Sequence, residues 1–101
     1  MSSQPVARVG DKTTGHGPYL PRPSTGGSGD VFVNGIAVSR EGDTWAPHNG
    51  RPDDTHAYEV GKTVSGSSTV FVNGKPLARI GDIVDGADKI AGGSSDVFAG
   101  G

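Results

Sequence analysis

The chain has 101 residues, of which 18 are Gly and 7 are Pro; that content excludes a bundle of long helices and leaves either disorder or glycines that recur with a period. The formal charge is −2 and the basic residues are spread singly, which excludes a nucleic-acid backbone or an anionic lipid surface as the main partner. There is no cysteine and no apolar run long enough for a membrane helix or a secretory signal, so a small core must draw stability from a metal or from a partner protein.

In chain order, the first predicted element is a lone strand within residues 1–11, ending in Ala7-Arg8-Val9-Gly10-Asp11. A long arm follows over 12–28. Residues 30–34 and 36–40 then read as a hairpin, because Asn34-Gly35 between β-branched runs is the strongest short-range signal for a type I′ turn. A second arm covers 44–68. Residues 69–73 and 75–80 repeat the hairpin around Asn73-Gly74, with Pro76 suggesting an edge or a bulge. A third arm covers 83–95, and Val97-Phe98-Ala99-Gly100 closes the chain as a degraded third copy.

Two strings therefore occur three times each. One is the Val-Phe strand at Val31, Val70 and Val97. The other is Arg-x-Gly-Asp at Arg8, Arg40 and Arg79. This is periodic sequence, so disorder is set aside. Pairing of the two terminal strands would complete a third unit and give a pseudo-threefold arrangement. Alternation puts Val31 and Val33 on one face and Phe32 on the other, and likewise Val70, Val72 and Phe71. With apolar residues on both faces, these strands are expected to be covered on both sides. The arms are expected to lack secondary structure. Length and repeats together point to one domain over 1–101.

All three histidines fall on arms: His16 on the first, His48 and His56 on the second. One reading is three solvated loop histidines. The sharper one is a metal site, since three imidazoles and one further ligand suit tetrahedral Zn²⁺, with iron as the alternative. His16 and His48 each stand five residues beyond a Gly-Asp aspartate; the third arm has Ala87 there but offers Asp85. Asp85 is the candidate fourth ligand, with Asp88, Asp53, Asp54 and water as competitors. One ion per chain would supply folding energy that a 32% apolar composition lacks.

The run from Val70 to Asp82, Val-Phe-Val-Asn-Gly-Lys-Pro-Leu-Ala-Arg-Ile-Gly-Asp, resembles the PAAR-repeat family of spike-tip proteins. Ala7-Arg8-Val9-Gly10-Asp11 with Thr13-Thr14-Gly15-His16-Gly17, and the closing Ser94-Ser95-Asp96-Val97-Phe98-Ala99-Gly100-Gly101, fit the same pattern. The resemblance implies an all-β, small pseudo-threefold cone of short hairpins whose arms converge on a metal at the vertex. It further implies a non-enzymatic cap on the homotrimeric β-helical spike of a contractile injection machine, either a phage tail or a type VI secretion system. Such a cap would sit as a monomer on the trimer and meet the target outer membrane only transiently. The seat would be Val31, Phe32, Val33, Val70, Phe71, Val72, Val97 and Phe98. Family ligands are three histidines, matched by His16, His48 and His56, and a cysteine that falls near Asp85. This chain has no cysteine, so it departs from the pattern there and around residues 49–54.

Two other functions are weighed. A hydrolytic zinc centre needs a general base, for which Glu59 is the one candidate. An adaptor for separate toxin cargo is the other, since no effector domain follows the last repeat. With no secretory signal, the chain is expected to be made in the bacterial cytoplasm and to leave with the machine, or to reside at a virion tail tip. Trp45 is expected to pack beneath the second arm, and Tyr19, Leu20 and the Pro21-Arg22-Pro23 run to brace the first. Arg8, Arg40 and Arg79 are expected to pair with the aspartates three residues on, as exposed pairs of little energy.

Overall fold

A computed structural model describes residues 3–15, 20–47, 61–85 and 88–101. No helix occurs among them. They form ten two-residue strands: β1 (Gln4–Pro5), β2 (Phe32–Val33), β3 (Ile36–Ala37), β4 (Thr44–Trp45), β5 (Gly61–Lys62), β6 (Phe71–Val72), β7 (Lys75–Pro76), β8 (Ile83–Val84), β9 (Asp88–Lys89) and β10 (Phe98–Ala99). All five pairings are antiparallel.

β2–β3 and β6–β7 are the two Asn-Gly hairpins. Asn34 and Gly35 have φ of 56° and 76°, and Asn73 and Gly74 have 54° and 78°, the double left-handed geometry of a type I′ turn. β1 pairs with β10, Gln4 opposite Ala99 and Pro5 opposite Phe98. The chain ends thus make the third unit.

The units close on one another around an axis. Ala7 N–H donates to the Ala78 carbonyl at 3.0 Å, Ala78 N–H to Ser39 at 3.0 Å, and Ser39 N–H to Ala7 at 2.9 Å. Outside that ring, Val9 N–H donates to Ala37, Glu41 to Pro76 and Ile80 to Pro5. Every central strand therefore spends its hydrogen bonds on the next unit, which leaves no open sheet edge at the axis.

Alternation along the central strands separates two small cores. Val6, Val38 and Leu77 pack with Val72, Ala99 and the half-buried Val33. The neighbouring positions Ala7 and Ala78 instead face Trp45, Val84 and Ile90, with Ile80 alongside. Trp45 is fully buried and its Nε1 donates to Thr63 Oγ1 at 2.8 Å, so it packs under the second arm as its sequence position suggests.

The arms differ from expectation, because each runs out and back as a narrow ladder. In the first, Thr13 N–H donates to Arg22 and Ser24 N–H to Asp11. The second is β4 with β5, and the third β8 with β9. Bridges Ser24–Trp45, Thr63–Val84 and Thr13–Ile90 then join the arms pairwise into a second closed layer. Two-residue strands carry no periodicity to read, which is why the ladders are invisible in sequence.

Ser39 replaces alanine in the axial triad. It is fully buried and its hydroxyl has no hydrogen-bond partner among the described residues. A buried hydroxyl left unbonded costs about 1–3 kcal/mol. Ser39→Ala is therefore expected to stabilise the protein, raising Tm by about 4 °C or more. A lower Tm in a thermal melt of this variant would show that the hydroxyl is satisfied.

Candidate docking face and arm junction

Within the chain the Val-Phe strands are covered on one face only. Val72 and Ala99 are buried and Val33 half-buried, whereas Phe32, Phe71 and Phe98 are 55%, 55% and 54% exposed. Val31, Val70 and Val97 are likewise exposed, at 37%, 36% and 37%. The expected cover on the phenylalanine side is thus not supplied by the described residues. Six apolar side chains repeat with nearly identical exposure around the axis, an array of the kind that marks an interaction surface.

The turns beside this array are locked to their neighbours. Asn34 Oδ1 accepts from Arg8 Nη1 at 3.1 Å and from Ser94 Oγ at 2.6 Å, while its Nδ2 donates to Asp96 Oδ1 at 2.8 Å. Asn73 does the same with Arg40 at 2.9 Å, Ser28 at 2.7 Å and Asp30 at 2.9 Å. The degraded copy has no asparagine; there the Gly100 carbonyl accepts from Arg79 Nη1 at 3.0 Å and from Ser67 Oγ. Each asparagine thus has two tasks, the turn and the clamp to the next unit. The serines also accept backbone N–H groups at the strand start: Ser28 from Val31, Ser67 from Val70, Ser94 from Val97.

The Arg-x-Gly-Asp repeat is a tight turn with a bidentate ion pair. In each copy the aspartate accepts the arginine's N–H, Nε and Nη2, as for Arg40 and Asp43 at 2.8, 2.8 and 3.0 Å. These pairs are largely buried, side-chain exposure being 16% or less. The expectation of exposed pairs is corrected: the clamp to the neighbouring unit covers each guanidinium. The Asp43 carboxylate raises the already high pKa of Arg40, so this cation does not titrate in any ordinary buffer.

Asp30 and Asp96 are held below the usual carboxylate range, first by Asn73 and Asn34 respectively, then by Ser28 and Ser94. A lowered folded-state pKa contributes stability that is present above the unfolded value of about 3.9 and is lost as pH falls through the folded one. Unfolding midpoints below about pH 4 are accordingly expected to fall less steeply for an Asp30→Asn/Asp96→Asn variant than for the parent. Parallel acid limbs would show that these carboxylates do not titrate on folding.

The far ends of the arms meet at a buried arginine. Arg22 lies on the return leg of the first arm with its side chain 1% exposed. Its Nη2 is 2.9 Å from Asp85 Oδ2, and its Nε lies 3.5 Å from Asp88 Oδ2, an ion pair rather than a hydrogen bond. Gly61 of the second arm lies against the guanidinium, where a Cβ would collide with it. Asp88 Oδ1 accepts from Gly15 N–H at 2.8 Å and from Thr14 Oγ1 at 3.2 Å. Asp85 Oδ1 accepts from Lys62 N–H at 3.2 Å.

A family model for the PAAR motif matches residues 14–91 and 53–101, nearly the whole chain. The chain belongs to the PAAR-motif family. No curated protein matches it. PAAR-motif proteins are structural spike-tip components of contractile injection machinery, and the helix-free array of short hairpins agrees with that fold.

Of the residues singled out in the sequence, the PAAR fold leaves Val31, Phe32, Val70, Phe71, Val97 and Phe98 exposed to matching degrees in the three units, with Val33 and Val72 turned to the core. His16, His48, His56, Glu59, Asp53, Asp54 and Tyr19 lie outside the described residues. Among those described, no group of three or more His, Cys, Asp or Glu side chains is placed to hold a metal. Leu20 is largely exposed, whereas Arg22 is buried and holds the first arm to the others. The interlocking serines were missed. Their signal is Gly-Ser three residues before each Val-Phe, at Gly27-Ser28, Gly66-Ser67 and Gly93-Ser94.

Proposed function

We propose that the chain caps a homotrimeric β-helical spike, one copy per trimer, and sharpens it for passage through a target outer membrane. The observation that carries this is the equal exposure of Phe32, Phe71 and Phe98 around the axis. Positions that repeat in all three units can meet three identical partner surfaces. Positions that differ, such as Ile36, Lys75 and Gln4 on the paired strands, cannot. Binding energy therefore concentrates in the Val-Phe pairs. No chemistry is needed for this role.

His16, His48 and His56 are proposed to hold one Zn²⁺, or iron, at the arm tips. When bound, the ion would supply a crosslink between arms. What supports this is the histidines' placement beyond arm segments that the described residues bring together at Arg22. Elemental analysis is expected to find about one ion per chain, a content that His48→Ala reduces.

The docking test is titration of a trimeric spike tip with the purified chain. One chain should bind per trimer. Phe32→Ala, Phe71→Ala and Phe98→Ala should each weaken binding by roughly 30-fold, equally, while leaving the melt unchanged. A triple variant that binds like the parent would sink the docking assignment.

A further inference from the structure

We propose that Arg22, Asp85 and Asp88 form a clasp that fastens all three arms without a metal ion, and that Asp85 serves this clasp and not a metal. The first half stands on described residues alone; the second bears on the three-histidine site proposed above.

Each arm contributes. The first supplies Arg22, Thr14 and Gly15, the second Gly61 and the N–H of Lys62, and the third Asp85 and Asp88. A planar guanidinium presents its five N–H donors in a fixed fork, so it faces two carboxylates with a geometry that a freely rotating ammonium does not impose. Pro21 and Pro23 flank Arg22 with fixed φ, so less freedom is lost in placing it. Glycine at 61 leaves the flat space in which the guanidinium rests. Asp88, fully buried, is balanced by Arg22 together with the N–H groups of Gly15 and Lys89.

The same contacts make Asp85 a poor metal ligand. Oδ2 faces the guanidinium at 2.9 Å and Oδ1 accepts the Lys62 N–H at 3.2 Å. A divalent ion on this carboxylate would stand beside a fixed positive charge in a setting where 30% exposure of Asp85 gives only partial screening. Asp85 also holds a left-handed backbone, φ 56°, at the turn of the third arm, which ties its side chain to that turn.

The test uses the full chain with cobalt(II) as the metal probe. In EDTA, Arg22→Met is expected to lower Tm by about 8 °C or more, and Arg22→Lys by less. Asp85→Asn is also expected to lower it, and to add little once Arg22 is replaced. With cobalt, Asp85→Asn should take up the same metal per chain with the same visible absorption band as the parent. Should Arg22→Met fail to fold, Arg22→Lys and Asp85→Asn carry the comparison. Unchanged EDTA midpoints would overturn the clasp, and a displaced cobalt band in Asp85→Asn would overturn its exclusion from the metal. A parent chain that takes up no cobalt overturns the three-histidine site, and the clasp then stands or falls on the EDTA midpoints.

Discussion

Asp82→Ala is expected to destabilise the protein by about 3–5 kcal/mol, the cost of leaving a buried charge without its partner. Asp82 accepts the Arg79 N–H at 2.8 Å, Nε at 3.1 Å, Nη2 at 3.2 Å and the Ser65 hydroxyl at 3.2 Å. Its loss strands a guanidinium that also holds the Gly100 carbonyl, so the turn into the third arm and the closing strand loosen together. Against a total stability of about 5–15 kcal/mol for such a domain, that loss removes from roughly a fifth to all of it. Asp11→Ala should cost less, because the Arg8–Asp11 pair is more exposed, at 16% for each side chain. Urea denaturation measures both. A loss below about 1 kcal/mol for Asp82→Ala would place its pair in the solvated class.

Gly27→Ala is expected to cost about 2–3 kcal/mol by overpacking. A Cβ there would fall 2.7 Å from Val9 Cγ2 and 2.8 Å from the Val38 carbonyl oxygen. The methyl can rotate away. The carbonyl cannot, because it accepts the Ser28 N–H at 2.9 Å. Gly66 and Gly93 are crowded in the same way, against Leu77 and Val6 carbonyls at 3.0 Å. Gly29 is the control: nothing lies within 4 Å of its Cβ position and its φ is ordinary, so Gly29→Ala should change stability by less than about 0.5 kcal/mol. Equal urea midpoints for the two variants would show that Gly27 has room.

The contrast between Gly27 and Gly29 shows what could be read in advance and what could not. Asn-Gly at 34–35 and 73–74 announces its turn because local backbone geometry alone requires those residues. The pairing of the chain ends follows from counting unpartnered strands. Gly27 needs to be glycine only because a strand ten residues later passes over it, and no local rule carries that information. The same holds for Ser28, whose partner Asn73 is distant in sequence. The Pro21-Arg22-Pro23 run was legible as a brace for the first arm, but the burial of Arg22 was not, because it depends on two other arms arriving at the same place. Ion pairs three residues apart were legible, but their burial was not, since the cover comes from an adjacent unit. Alternation placed Phe32 and Phe71 on the face opposite Val33 and Val72 and led to the expectation of cover on both sides, whereas the phenylalanine face is the exposed one.

The hydrogen-bonded ring of Ala7, Ser39 and Ala78 has a consequence for how the protein is made. Residue 4 pairs with residue 99, so β1 lacks its partner β10 until residue 99 has left the ribosome, although Ala7 and Val9 can meet Ser39 and Ala37 earlier. Closure of the third unit must wait until both of its strands are made, and contacts between such distant positions make it slow for a chain of this size. During that interval the two finished hairpins expose strand edges that later vanish. The same closure means that a cut at an arm, with the old ends joined by a short linker, preserves every strand pairing and moves the waiting strand elsewhere in the order of synthesis.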